Sequence, residues 1–384
     1  MIPVTPRGFK DILPSEARWR ESIVTAAQNC MSLWGYAPIE TPTLEVGEVL
    51  EQGGELSPNL FRLFDVDNEL LVLRPDVTLQ VARMAASRLA DNDLPLRLRY
   101  VQPVFREEKS LKAQARQFTQ IGVESLGLAG AVADAEVVLL AIDTLAACGL
   151  QEFQIYVGTV GVLRLLLDRC LTTQAVDAQW QAAMLAACHQ GSVAEIKRLT
   201  VAVGLDSKYA RVFEELPDIN GKGDAIVRCR QLVEPLGLSD GLDQLSATWE
   251  ILAGVGAERW ASIDFSVISA YDYYTGLVFE VYVPGLGVLL GSGGRYDRMM
   301  QRFGASAPAA GFALSLEAVM RALLHQGIAI TMPETDQPNV VVAGSNAVEA
   351  FKQAASMRGK GKAVVIAEDQ ARAVRTARQK RHPG

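Results

Sequence analysis

Apolar and polar positions follow helical and strand-like periods in the first part of the chain. Across residues 16–34, apolar side chains recur at steps of three and four, and Gly35 follows as a stop signal. This pattern predicts one amphipathic helix. The short apolar runs at 61–65 and 70–74 enclose a polar turn, which predicts a β-hairpin.

The middle of the chain predicts further strands and helices. A short strand is expected at 36–41, and Asp76 is expected to open a helix that runs to about Ala90. Two long strands, 96–106 and 116–126, are joined by a polar loop. A helix is predicted at 133–147, strands at 263–268, 277–283 and 287–293, and a strand leading into a helix at 311–324.

Two regions suggest the domain organisation. Residues 160–260 are dominated by Ala- and Leu-rich helical stretches, which predict a helical insertion. The polar segment 331–338 carries two prolines and predicts a boundary. Beyond it, 339–384 reads as strand, helix, strand and a last basic helix, typical of a small α/β unit. We therefore expect an α+β fold with one domain at 1–330 and a short C-terminal unit at 339–384.

Charge and composition indicate a protein with a large core and argue against a nucleic-acid-binding function. The 384 residues include 49% hydrophobic residues, enough for a large core. Lys and Arg number 37 against 44 Asp and Glu, a net charge of -7, so the basic footprint of a nucleic-acid binder is missing and such a partner is unlikely by this criterion.

Cysteine and histidine usage predicts no metal and no cofactor. The five cysteines are widely spaced without a Cys-x-x-Cys pair, and the three histidines have no metal-ligand spacing. The N-terminus lacks an apolar leader, and no stretch approaches a membrane span. The expectation is a cytoplasmic protein with no membrane partner.

The strand at 116–126 carries the strongest candidate chemistry. Side chains alternate along a strand, so Gln120, Gly122 and Glu124 share one face. Gly122 is expected to leave a hollow between an amide and a carboxylate, which suits an ammonium group or an imidazole N–H. The alternative is a solvated polar strand face. It is less favoured because Ile121 and Val123 already supply the other, apolar face.

Arg106, Asp76 and Thr78 are further candidates for ligand binding. Arg106 follows Phe105 at the end of the first long strand, and its guanidinium suits a carboxylate or phosphate. The simpler alternative is a surface ion pair. Asp76 and Thr78 lie where a helix is predicted to begin, so Asp76 is also a candidate N-cap.

Three tyrosines complete the candidate site. Tyr273, Tyr274 and Tyr296 combine an apolar ring with a hydroxyl, which can enclose an imidazole. Core packing is the alternative interpretation. The glycines between Gly291 and Gly294 favour close backbone approach to a ligand or a neighbouring strand.

These segments resemble histidyl-tRNA synthetase, a class II aminoacyl-tRNA synthetase, over about residues 6–325. The matching segments occur in the family's order: Pro6 to Asp11, the helix at 16–34 with Thr41-Pro42 (motif 1), Phe105-Arg106-x-Glu108 (motif 2), Asp272 to Gly276, Gly293 to Asp297, and Gly311 to Glu317 (motif 3). The resemblance implies an antiparallel sheet flanked by helices and dimerisation through the motif 1 region.

The chain departs from the synthetase pattern where ATP and tRNA would bind. No arginine lies between Arg259 and Asp272, so Ser269 stands where the resemblance places a catalytic arginine. Ala318 stands where motif 3 has the arginine that grips ATP, and the C-terminal unit is short. Loss of one such donor costs about 100- to 1,000-fold in rate, and arginines at phosphoryl centres contribute roughly 1,000- to 100,000-fold. We therefore predict no catalytic residues and no synthetase activity.

The retained amino-acid pocket and the lost arginines resemble the regulatory subunits of ATP phosphoribosyltransferase, paralogues of histidyl-tRNA synthetase. This resemblance implies a non-catalytic partner of a short-form catalytic subunit, four of each in a hetero-octamer. It implies a role in the first step of histidine biosynthesis and feedback inhibition by L-histidine. The implied histidine-binding residues are Asp76, Thr78, Arg106, Gln120, Glu124, Tyr273, Tyr274 and Tyr296. A divergent histidyl-tRNA synthetase and a free-standing amino-acid- or RNA-binding paralogue remain as alternatives.

Overall fold

A computed structural model describes residues 5–52, 60–107, 115–267, 273–328 and 339–369. The chain divides into two compact units, Met1–Asp11 with Ser22–Ile328, and Ile12–Glu21 with Ala329–Gly384. The candidate site residues all lie in the first unit.

A nine-stranded sheet forms the centre of the first unit. Its strands are β1 (Ala37–Pro38), β5 (Leu96–Phe105), β6 (Gln117–Leu126), β7 (Gln154–Thr159), β8 (Asn220–Gly221), β9 (Ala261–Asp264), β10 (Leu277–Tyr282), β11 (Leu289–Arg295) and β12 (Ala309–Ser315). Their order is β1-β5-β6-β12-β11-β10-β7-β9-β8. The central strands from β5 to β7 pair antiparallel, as predicted. The sheet as a whole is mixed, because β1 pairs with β5, and β7 with β9, in parallel.

A smaller three-stranded sheet, with the order β2-β4-β3, lies in the same unit. It consists of β2 (Leu44–Val46), β3 (Arg62–Phe64) and β4 (Leu70–Leu73). The predicted hairpin at 61–74 is therefore confirmed. The predicted strand at 36–41 is wrong in length: only Ala37–Pro38 pairs with β5.

Helices cover the sheet and fill the insertion. They are α1 (Pro14–Leu33), α2 (Gly47–Gln52), α3 (Thr78–Arg88), α4 (Ala131–Ala147), α5 (Gly161–Thr173), α6 (Ala178–His189), α7 (Val193–Ala202), α8 (Ser207–Glu215), α9 (Gly223–Val233), α10 (Asp243–Gly254) and α11 (Leu316–His325). Short 3-10 helices lie at Leu216–Asp218, Glu234–Leu236, Ser239–Leu242, Ala257–Arg259 and Met300–Phe303. Helices α5 to α10 occupy the predicted helical region.

Helix α3 begins two residues later than the predicted start at Asp76. Val77 occupies the N-cap position without a side-chain cap, and the amide of Leu79 lies 3.4 Å from Asp76 Oδ1. Asp76 therefore makes a weak capping contact from the segment that precedes the helix.

The second unit contains β13 (Asn339–Val342), α12 (Ala347–Gly359) and β14 (Val364–Ala367). The two strands pair in parallel. Ala350 and Ala354 of α12 pack with Val341. The predicted boundary at 331–338 and the last basic helix lie outside the described residues. The division at residues 330 and 339 stays a prediction.

The predicted architecture is confirmed in its main features: a sheet flanked by helices, a helical region within the same unit and a small α/β unit. Among the described residues, no helix combines the length and apolar composition needed to cross a bilayer.

Candidate functional site

A cavity of about 310 Å³ opens beside the strands β6, β11 and β12 and the start of α11. All eight residues predicted from the sequence line it: Asp76, Thr78, Arg106, Gln120, Glu124, Tyr273, Tyr274 and Tyr296. We call this cavity the central pocket. The structure therefore brings the predicted residues together, although their ligand stays a prediction.

Glu124 is the most deeply buried charged residue of the central pocket, with 1% of its surface exposed. The Tyr296 hydroxyl donates a short hydrogen bond to Glu124 Oε2, and the Tyr100 hydroxyl donates to Oε1 at 3.1 Å. Burial raises the pKa of Glu124 to about 8, and hydrogen bonds from Tyr296, Thr78 and Tyr100 partly oppose this rise. The pocket thus holds a carboxyl group that titrates near neutral pH.

The predicted hollow over Gly122 is wrong. A Cβ atom at this position would meet the Cζ and hydroxyl oxygen of Tyr100, so the phenol ring fills the space that the missing side chain leaves. Gly122 and Tyr100 face each other across β6 and β5. The glycine therefore accommodates a tyrosine, and neither Gly122 nor Tyr100 is among the residues that line the central pocket.

Gln120 contributes a buried acceptor to the same wall. Its exposed fraction is 6%, and its Oε1 atom has no hydrogen-bond partner among the described residues. A buried amide oxygen without a partner costs about 1–3 kcal/mol. A ligand N–H donor would remove that cost, so Gln120 and Glu124 both favour a ligand with N–H groups.

Arg106 and Asp76 form the charged rim of the pocket. Arg106 Nε donates to the carbonyl of Pro75 at 3.0 Å, and its guanidinium lies 5.1 Å from the centre of the Phe118 ring. Burial raises the pKa of Asp76, and the positive charge of Arg106 acts in the opposite direction. The charge of Arg106 is complementary to the carboxylate of an amino acid, and that of ionised Asp76 is complementary to its ammonium group.

The tyrosines enclose one side of the pocket. The rings of Tyr273 and Tyr274 are 4.8 Å apart, and Tyr273 meets Tyr296 edge to face at 6.0 Å. Tyr274 and Tyr296 also belong to the hydrophobic core, so the packing interpretation and the pocket interpretation both apply. A Cβ atom at Gly294 would collide with the backbone oxygen of Leu277 and lie 2.7 Å from the Tyr274 ring, so the expected close backbone approach to a neighbouring strand is confirmed.

A buried ion pair fixes the strand residue that precedes Tyr296. The preceding residue, Arg295, donates from Nε to Asp134 Oδ1 at 2.7 Å and from Nη1 to Asp297 Oδ1 at 2.9 Å. Gln244 of α10 donates to the other Asp134 oxygen. Strand β11 is thereby bound to α4 and to the helical insertion.

Helix α11, which follows motif 3, contains an arginine that the sequence patterns did not single out. Ala318 lines the pocket where the synthetase arginine would stand, and Arg321 lines it one turn further along α11. Glu317 accepts a hydrogen bond from the backbone of Thr119 at 2.9 Å. Arg321 follows Ala318 by three residues, so the two side chains lie on the same face of a helix. That spacing could have pointed to Arg321 from the sequence.

Tyr100 is the second residue that the patterns missed. It is 2% exposed and contacts Glu124 without lining the cavity. The sequence does not give the register between β5 and β6. The pairing of Tyr100 with Gly122 is what places the phenol beside Glu124.

Three predicted features lie outside the described residues. They are Ser269, where the synthetase arginine is absent, Asp272 of the tyrosine segment, and Glu108 of motif 2. Within the described ranges, no cluster of three His, Cys, Asp or Glu side chains could hold a metal ion.

Sequence and structure comparisons identify the family. The sequence model of the family described as histidyl-tRNA synthetase matches residues 8–319. The ATP phosphoribosyltransferase regulatory subunit of Moorella thermoacetica is 36% identical over 94% of this chain and 91% of its own. The protein of the same name from Desulfitobacterium hafniense is 34% identical, over 94% and 90%.

The chain belongs to the ATP phosphoribosyltransferase regulatory subunit family. That family lies within the broader group of histidyl-tRNA synthetase-like proteins matched by the sequence model. The resemblance predicted from the motifs is confirmed.

Solved structures agree with this membership. A Bacillus halodurans protein described as an ATP phosphoribosyltransferase regulatory subunit/histidyl-tRNA synthetase has a TM-score of 0.84 and 31% identity, over 96% of this chain and 93% of its own. Histidyl-tRNA synthetase from Nostoc sp. has a TM-score of 0.79 at 22% identity, over 98% and 89%, which shows the shared fold.

Proposed function

We propose that this chain is a non-catalytic regulatory subunit that binds L-histidine in the central pocket. It acts with a short-form catalytic subunit of ATP phosphoribosyltransferase in the first step of histidine biosynthesis. Histidine binding would favour the less active state of the complex and so provide feedback inhibition. We place the complex in the cytoplasm as a hetero-octamer of four chains of each kind, with regulatory chains paired through the motif 1 region.

The unpartnered amide oxygen of Gln120 beside Glu124 is the observation that carries this proposal. Both groups accept hydrogen bonds, and the rim adds a cation at Arg106 and an anion at Asp76. Histidine supplies an imidazole N–H, an ammonium group and a carboxylate. Its chemistry therefore complements the polar groups of the pocket.

Loss of amino-acid activation is the second part of the proposal. Ala318 lacks the charge that would grip ATP at the start of α11. The sequence also has Ser269 in place of an arginine. Without these two cations, the charge that develops on a phosphate during activation has little stabilisation.

A divergent histidyl-tRNA synthetase remains the rival because Arg321 lines the central pocket. Its guanidinium could replace the missing motif 3 arginine from one turn further along the helix. Histidine-dependent exchange of pyrophosphate into ATP by the isolated chain would support this rival and contradict the regulatory proposal.

The direct test measures histidine inhibition after co-expression with a short-form catalytic subunit. We expect the wild-type complex to be inhibited by histidine. Glu124→Ala should weaken inhibition by at least about tenfold, because it removes a buried hydrogen-bonding group of the pocket, and leave the complex assembled.

The matched control for this test is Glu250→Ala. Glu250 lies in α10, is exposed, and makes no hydrogen bond or ion pair within the described residues. It should not alter inhibition. Unchanged inhibition in the Glu124 variant would show that histidine acts at another site, and absence of a complex would contradict the regulatory role.

A further inference from the structure

Tyr100 lies behind the central pocket and contacts its main carboxylate. It belongs to β5, is 2% exposed, and donates to Glu124 Oε1 at 3.1 Å. Tyr296 donates to the other oxygen of the same carboxylate. Tyr296 lines the cavity, whereas Tyr100 does not.

Two glycines make this arrangement possible. A side chain at Gly122 would collide with the Tyr100 phenol, and a side chain at Gly311 would collide with Glu124 Oε2. These glycines lie on β6 and β12, which pair with each other. The missing side chain at Gly122 thus leaves room for the Tyr100 phenol. The missing side chain at Gly311 leaves room for the Glu124 carboxylate.

We propose that Tyr100 is a positioning residue, which fixes the Glu124 carboxylate in the orientation that receives an N–H group of the ligand. With one phenol on each oxygen, rotation of the carboxylate would break two hydrogen bonds at once. Glu124 also lines the cavity, so a carboxylate held in this way is available to a ligand there. This inference rests on the proposed binding of histidine in the central pocket.

The role also predicts an effect on protonation. Both phenols donate to the ionised form of Glu124 and therefore oppose the rise of its pKa. Tyr100→Phe removes one donor while it keeps the ring that fills the space over Gly122. The variant should fold, and Glu124 should hold its proton to a higher pH.

The first experiment is a double-mutant cycle on the full chain, with L-histidine binding measured by calorimetry. Tyr100→Phe should weaken binding by roughly tenfold, about the effect of losing one buried hydrogen bond. Because Tyr100 acts through Glu124, the same substitution should have little further effect in a Glu124→Ala background, where no acceptor remains for the phenol.

Tyr36→Phe provides a matched control. Tyr36 is equally buried, and its hydroxyl donates to Glu136 at 2.8 Å, outside the central pocket. This variant loses the same kind of bond and should bind histidine as the wild type does.

The second experiment follows the free energy of unfolding against pH without any ligand. In Tyr100→Phe, the pH range over which the Glu124 carboxyl ionises should move upward relative to the wild type. A purely structural tyrosine would change stability without shifting this range.

The outcomes separate the two proposals. Wild-type protein that does not bind histidine would overturn the proposed function, and the unfolding profiles would still test Tyr100. Histidine binding that is unaffected by Tyr100→Phe, or weakened equally in the Glu124→Ala background, would overturn the positioning role.

Discussion

At the scale of single residues, the central pocket depends on a carboxyl group removed from water. Glu124 is nearly fully buried and receives two phenol hydroxyls, with no cation among its hydrogen-bond partners in the described residues. Because desolvation outweighs these hydrogen bonds, its pKa rises to about 8. The charge of the pocket therefore changes with pH as Glu124 gains or loses its proton.

This rise in pKa predicts a specific dependence of stability on pH. The folded chain binds the Glu124 proton more tightly than the unfolded chain, so the proton stabilises the fold below the ordinary pKa of 4.5. That stabilisation is lost as the pH rises through about 8. Relative to Glu124→Gln, the wild type should lose at least about 2 kcal/mol of unfolding free energy between pH 5 and pH 9.

Chemical denaturation at a series of pH values would measure this difference. Glutamine resembles the protonated acid and does not titrate, so other groups cancel in the comparison. Glu250→Gln, at an exposed position, should follow the wild-type curve. Parallel curves for the wild type and Glu124→Gln would contradict the pKa shift.

At the scale of elements, the walls of the pocket are held by strand pairing and by one buried ion pair. Strands β6, β12 and β11 are neighbours in the sheet, which brings Glu124 beside Gly311 and Gly294. Arg295 and Asp134, with side chains 4% and 0% exposed, join β11 to α4. The position of Tyr296 depends on this connection because it follows Arg295 directly.

Breaking this ion pair should be strongly destabilising. Arg295→Met leaves Asp134 buried without its cation, and such a loss typically costs about 3–5 kcal/mol. The double variant with Asp134→Leu should recover part of that stability, because no buried charge remains. Urea unfolding of the single and double variants would measure both effects.

An exposed pair provides the comparison. Arg198 and Glu195 form a 2.6 Å ion pair on the surface of α7, and Arg198→Met should change stability little, because solvent screens such pairs. Equal losses at the buried and exposed sites would contradict the role assigned to burial.

At the scale of the whole molecule, every described residue of the central pocket lies in the first compact unit. A chain ending at residue 330 should therefore retain the pocket and bind histidine with similar affinity. Calorimetry on the truncated and full chains would test this expectation. Loss of binding despite a cooperative thermal transition would show that the C-terminal residues contribute to the site.

The sequence predicted most of the elements because their hydrophobic periods are long and regular. The hairpin of β5 and β6 is a clear example, with both strands within one residue of their expected ends. The short strand near Pro38 was predicted too long, because local apolar character does not reveal how many residues find a pairing partner.

Sequence alone also determined which residues carry the candidate chemistry. The order and spacing of the motifs pointed to eight residues, all of which line one cavity. The losses at Ser269 and Ala318 were likewise visible in the sequence, because the identity of a side chain requires no coordinates.

Only the tertiary structure decided how the carboxylate at the centre is held. Strand alternation placed Gln120, Gly122 and Glu124 on one face, but it could not show that Tyr100 fills the space over Gly122. The position of Arg321 at the pocket likewise depends on how α11 packs against the sheet, which the sequence pattern does not show. Alternation is a property of one strand, whereas occupancy of a space depends on the register and packing of its neighbours.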